Sequence, residues 1–166
     1  MLKKLVLAAL LILPVGAFAQ DLKIAHVNTQ EVFNAMPELS AMESEIAELN
    51  KSFTEELKRM EDEYSKKYAE FIEKADSLPE NIKIRRMQEV QDIQQKIETF
   101  YQQARQDVQK KQQELQAPIE KKIADAIKLV GEEQGYTYVL QSGVFLHISA
   151  KAIDATQLVK SKLGLR

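Results

Sequence analysis

The sequence predicts an α+β chain in which a small β body, assembled from both chain ends, carries one long antiparallel helical hairpin. Three observations predict it. Short β-rich segments stand at either end, Leu22–Val27 and Tyr136–Ile148. Between them run two apolar seams at helical spacing. No glycine falls between Ala19 and Val130, so the middle of the chain has few places to turn.

The front end has the pattern of an export signal. Lys3 and Lys4 give a positive start, Leu5–Leu13 is an unbroken apolar run ended by Pro14, and Ala17-Phe18-Ala19 offers small residues at both recognition positions. Cleavage between Ala19 and Gln20 is expected, which makes 1–19 a removed segment. The run is too short for a membrane span, which needs about 20 residues. Without Lys3 and Lys4 the chain keeps 21 of its 23 basic side chains against 25 acidic ones. A mildly acidic chain lacks the basic footprint of a nucleic-acid binder, so no nucleic-acid partner is expected. It contains no cysteine, so an exported chain of this kind must be stabilised by packing or assembly rather than by disulfides.

Leu22, Ile24 and His26 alternate with Lys23, Ala25 and Val27, which predicts a first strand. From Leu39 the apolar positions Met42, Ile46, Leu49, Phe53, Leu57, Met60, Tyr64, Tyr68, Phe71, Ala75 and Leu78 follow at steps of three and four. This is a helical seam near the 3.5-residue coiled-coil period. Ser40 and Glu43 suggest a capping box at its start, and Pro79 marks its stop.

A second helix is expected from Asn81 or Ile82 to about Gln134, with Met87, Val90, Ile97, Ala104, Val108, Leu115, Ile119, Ile123 and Val130 in its seam. The neighbouring pairs Ile93/Gln94 and Phe100/Tyr101 leave the register open by one residue. Pro118 is expected to kink or interrupt this helix. Eleven glutamines between Gln88 and Gln116 give it a polar face with little charge.

Gly135 ends the helix. Tyr136–Gln141 and Val144–Ile148 then flank Ser142-Gly143, which reads as a β-hairpin. A short last helix follows, with Asp154 as cap, Gln157 reciprocating, Ile153 stapled onto Leu158, and Gly164 at its end.

The resulting division is a body from 20–36 and 135–166 and a hairpin from 37–134 with its tip near 76–83. A body this small is hard to stabilise alone, and unpaired strand edges invite pairing, so a homo-oligomer is expected. Leu22, Ile24, Val139, Leu140, Val144, Leu146 and Ile148 are the candidate core of the body or its interface.

Catalytic signatures are missing: there is no Walker-type glycine loop, His-Glu-x-x-His or Gly-x-Ser-x-Gly. The two histidines, His26 and His147, make a thin metal set without cysteines. The sequence therefore predicts a non-catalytic chain with no cofactor and no metal. Lys83, Arg85 and Arg86, with Lys74 opposite, put a basic cluster at the tip. That cluster is either a solvated tip or a contact for an anionic membrane surface.

The segments KIAHVNTQEVFNAMPE and YTYVLQSGVFLHISAKAIDATQLVKSKLG, with the Pro-punctuated helical hairpin between them, resemble the Skp/OmpH family of periplasmic chaperones. The resemblance covers essentially all of the chain after the signal. It implies a homotrimer whose strands share a β-barrel hub, with three helical tentacles around a cavity. It also implies ATP-independent holding of unfolded outer-membrane proteins in the periplasm.

The best-known members are strongly basic, whereas residues 38–78 here hold twelve acids and six bases, and 80–117 six acids and seven bases. Apolar and amide contacts are therefore expected to matter more to clients than net charge. Off-seam apolar residues are the client-contact candidates: Ile72, Ile84, and whichever of Phe100 and Tyr101 lies outside the seam. The alternative reading is a structural coiled-coil spacer of the cell envelope.

Overall fold

The computed structural model describes residues 22–165. The expected cleavage between Ala19 and Gln20 lies outside them. The element order is β1 (Ile24–Val27), α1 (Thr29–Asn34), α2 (Glu38–Lys74), a 3₁₀ turn (Ala75–Ser77), α3 (Glu80–Gln134), β2 (Tyr138–Gln141), a 3₁₀ turn (Ser142–Val144), β3 (Ile153–Asp154) and α4 (Thr156–Lys162). The fold class is the expected one, a long helical hairpin on a small sheet.

The first strand is the centre of that sheet, in the order β2-β1-β3. Both neighbours run parallel to it, with Ile24 beside Tyr138 and His26 beside Leu140 on one side, and Ala25 beside Ile153 on the other. Parallel neighbours need a long crossover. The entire helical hairpin is the crossover from β1 to β2. This explains why a mostly helical chain opens with a strand.

The expected β-hairpin at Ser142-Gly143 does not form. A two-residue hairpin turn requires positive φ, but the positive-φ glycines are Gly135 and Gly164. Gly143 lies instead in the 3₁₀ turn, and no strand is formed over Val144–Ile148. The third strand is Ile153–Asp154, delivered to the far side of β1.

Helix α2 starts at Glu38 directly after Pro37, two residues before the expected capping box. Proline suits a helix start because it has no N–H to satisfy. At the tip, Pro79 forces Leu78 into the extended region, with ψ 142°. The Pro79 carbonyl then accepts from the N–H groups of Ile82 (2.9 Å) and Lys83 (3.0 Å), opening α3. Helix α3 runs through Pro118 without interruption. It ends where Gly135 adopts φ 64° and Tyr136 N–H reaches back to the Gly131 carbonyl at 2.9 Å.

The core lies at the root of the hairpin. Ala25 and Val27 of β1, Val32 and Met36, Ile119, Ile123, Ala126 and Val130 of α3, and Ala155 and Val159 are all buried together. One polar residue joins them. Thr156 is 2% exposed, and its Oγ1 accepts from Asn28 N–H at 2.9 Å. Asp154 Oδ1 accepts from Thr156 N–H at 2.8 Å. Burial opposes the charge on Asp154, but the Thr156 hydrogen bonds and the nearby His26 hold its carboxyl below the ordinary range. Gln157 does not reciprocate as a cap; its amide reaches Glu31 at 3.3 Å, tying α4 to α1.

Candidate functional site

The hairpin is held by a narrow seam with charged clasps. Going out along α2 is matched by coming back along α3: Glu38 pairs with Lys122, Glu45 with Lys111 (2.8 Å), and Phe53 with Phe100. The hydrogen bond from Lys122 lowers the Glu38 pKa, and the hydrogen bond to Glu45 raises that of Lys111. The two phenylalanine rings meet edge to face, 5.8 Å between centroids and 84° apart.

That contact settles the register. Phe100 and Ile93 enter the seam, half-buried, while Gln94 and Tyr101 stay outside. Phe100 is therefore a seam residue and not an open contact surface. Tyr101 is 48% exposed, with the Arg105 guanidinium 5.9 Å from its ring centre.

Ile72 and Ile84 are 56% and 61% exposed. Two further exposed apolar residues lie near them, Tyr68 and Met87, both expected in the seam. Tyr64 and Phe71 enter the seam one heptad apart, and the step between them is taken by the half-buried Lys67, which leaves outside it Tyr68. It stacks on Tyr64 instead, 5.9 Å between centroids and 6° from parallel. Likewise the register Ala104, Phe100, Ile97, Ile93, Val90 continued backwards lands on Arg86, one residue short of Met87. The distal hairpin thus exposes Tyr68 and Ile72 on one helix and Ile84 and Met87 on the other, either side of the turn.

The basic tip is partly neutralised. Arg85 Nε and Arg86 Nη1 both donate to Glu89, at 3.3 and 2.9 Å. The hydrogen bond from Arg86 comes first among the causes that depress the Glu89 carboxyl. Lys74 and Lys83 have no ion-pair partner among the described residues.

At mid-hairpin, Ala104 is the small buried seam residue. A groove of about 590 Å³ opens there on one flank, walled by Asn50, Phe53 and Leu57 from α2 and by Tyr101, Arg105 and a run of glutamines from α3.

The second open surface is the sheet. Ala25, Val27 and Val139 turn towards the core, whereas Ile24, Tyr138 and Leu140 leave the other face uncovered. Leu22, Val144, Phe145, Leu146 and Ile148 add to that exposed apolar surface, Leu146 being fully exposed at 107%. Of the seven residues expected in the core of the body or in its interface with other copies, Val139 packs into this chain's own core. The other six are open, Ile24 and Leu140 on the uncovered sheet face and Leu22, Val144, Leu146 and Ile148 in the segments that flank it.

His26 sits at the centre of the sheet with Nδ1 2.9 Å from Ser142 Oγ, and His147 is exposed in the irregular segment. No group of three or more metal-ligating side chains occurs among the described residues. No helix among them is long and apolar enough to cross a membrane.

Residues 23–163 match the family described as outer membrane protein (OmpH-like). The chain is 29% identical to the chaperone protein Skp of Photorhabdus laumondii subsp. laumondii, over 97% of its own length and the whole of that relative. The Skp of Photorhabdus luminescens matches with the same identity and coverage. Among solved structures, an OmpH-like outer membrane chaperone from Caulobacter crescentus CB15 superposes with a TM-score of 0.72 at 12% identity, covering 84% of this chain and 82% of that one. This second likeness concerns the fold. With the family pattern matched from the first strand to the last helix, the chain belongs to the OmpH-like family.

Proposed function

We propose that the chain is an ATP-independent periplasmic holdase, non-catalytic, that binds unfolded outer-membrane β-barrel proteins and keeps them from aggregating in transit. The observation that carries this reading is the set of large apolar side chains left exposed on the hairpin after its seam is filled: Tyr68, Ile72, Ile84 and Met87 near the tip, and Tyr101 at mid-hairpin. Burial of apolar area is non-directional, so such a surface can hold a chain that has no fixed shape. A spacer would gain nothing from exposing these groups.

Assembly is the second half of the proposal. The open sheet face, with Ile24, Tyr138, Leu140 and the 144–148 segment, is the surface on which copies would meet. Its residues are apolar, and β2 and β3 each keep an unpaired edge. A homotrimeric barrel hub, carrying three hairpins around a client space, fits the family resemblance. A tip contact with anionic lipid has less support, because Glu89 already engages Arg85 and Arg86.

The test is light scattering after a urea-unfolded outer-membrane β-barrel protein is diluted into buffer containing the chain from Gln20 onward, without nucleotide. The expected result is suppression that saturates near one assembled oligomer per client. Undiminished scattering in the presence of folded oligomer would sink the holdase reading and bring forward the envelope spacer.

A further inference from the structure

We propose that the mid-hairpin groove binds the main chain of an extended polypeptide through a row of glutamine amides, with Phe53 and Tyr101 receiving one of its apolar or aromatic side chains. The inference rests on the holdase reading and specifies what part of a client this surface recognises.

Gln102, Gln106, Gln109 and Gln112 all line the groove, at steps of four, three and three along α3. That spacing keeps them on one side of the helix. Of the twelve side chains around the groove only Arg105 is charged, in a protein that is 29% charged. An amide offers both donors and an acceptor, whereas a carboxylate only accepts and an ammonium only donates. A row of amides can therefore pair with the N–H and C=O groups of any residue, without reading its side chain.

The same four glutamines are free to do so. Elsewhere Gln88, Gln103 and Gln116 each give their amide to an acid four residues on, at 2.8, 2.9 and 2.6 Å. The four groove glutamines have Gln106, Lys110, Gln113 and Gln116 at that position, and their side chains make no hydrogen bond among the described residues. On the opposite wall the Thr54 hydroxyl already bonds the Asn50 carbonyl at 2.8 Å, so Asn50 supplies the polar group there. From Gln102 to Gln112 the helix rises roughly 15 Å, which matches four or five residues of extended chain.

The experiment uses fluorescence anisotropy with the full exported chain and a dye-labelled, uncharged peptide of alternating tyrosine and serine, about twelve residues long, enough to overrun the groove at 3.3 Å per residue. Its twin carries N-methyl groups at alternate main-chain nitrogens. The twin should bind roughly tenfold more weakly, the loss expected from two or three hydrogen bonds. Replacing Gln102, Gln106, Gln109 and Gln112 with alanine, a strong helix former, should weaken the unmodified peptide similarly. Replacing Gln91, Gln94 and Gln113, outside the groove, should not. Equal affinity for the two peptides, equal loss in both variant sets, or no binding of either peptide overturns the inference. Scattering protection of a whole barrel protein is read on the same wild-type sample. Protection that persists when the peptide result is negative removes the groove and leaves the holdase reading standing, while loss of both removes both.

Discussion

Helix α3 passes through two environments along its 55 residues. Beyond Pro118, Ile119, Ile123, Ala126 and Val130 are each at most 5% exposed, packed against β1, α1 and α4. Nearer the tip the same helix leaves Ile84, Met87 and Tyr101 in solvent, and only Val90 and Ala104 are buried. The helical backbone is continuous, but the work differs. At the root, several elements converge and the apolar face is enclosed. Farther out, a single partner helix covers one stripe and the rest stays open. The stability of the chain is therefore concentrated in the root, and the distal hairpin is free to carry surface that a core would have consumed.

The comparison can be broken from the root outward. Ile123→Ala removes a buried side chain from the centre of the core and should cost about 2–4 kcal/mol in urea unfolding at fixed protein concentration. Little or no loss would mean that the root is not the stabilising centre. Thr156→Val keeps the shape but strands the Asn28 N–H, and is expected to cost about 1–3 kcal/mol. Phe53→Ala, out on the hairpin, should cost about 1–2 kcal/mol. Hydrogen exchange should place that loss in the α2–α3 seam and leave β1 protected. A change spread evenly to the sheet would erase the distinction between the two regions.

The charged clasp at the hairpin base gives a smaller effect. Lys122 holds the Glu38 carboxyl below its ordinary 4.5. Its contribution is therefore complete above that value and fades as pH falls through the lowered folded value. Lys122→Met should cost about 0.5 kcal/mol at neutral pH, as for exposed pairs. The difference from wild type should close on acidification, as read by thermal melts across the pH range. A difference that widens in acid would contradict the assignment.

Most of the hairpin was legible in the sequence because a helical seam is a local pattern. The stop at Pro79 and the glycine ends at Gly135 and Gly164 followed from backbone chemistry alone. The sheet was less legible. Tyr136–Gln141 reads as a strand whether its neighbour runs parallel or antiparallel, and Ser142-Gly143 looks like a hairpin turn until its φ is known. Ile153-Asp154 pairs for two residues, too few to leave a periodic trace.

The exposed surface was partly legible. Ile72 and Ile84 stood off the seam from the start, whereas Tyr68 and Met87 were hidden by being apolar at nearly the right spacing. The groove needed three dimensions, since Phe53 and Ala104 line it from helices that the sequence holds tens of residues apart.

The most direct test of the division between a stabilising root and a binding hairpin combines Ile72→Ser, Ile84→Ser and Tyr101→Ser in one chain. Its thermal melt and its protection of a urea-unfolded outer-membrane β-barrel protein are measured side by side with wild type. The predicted result is a Tm within a few degrees of wild type, since exposed sites carry little stability, together with a clear loss of protection. Full protection by the triple variant, with its melt unchanged, would contradict the claim that the distal hairpin is the binding surface.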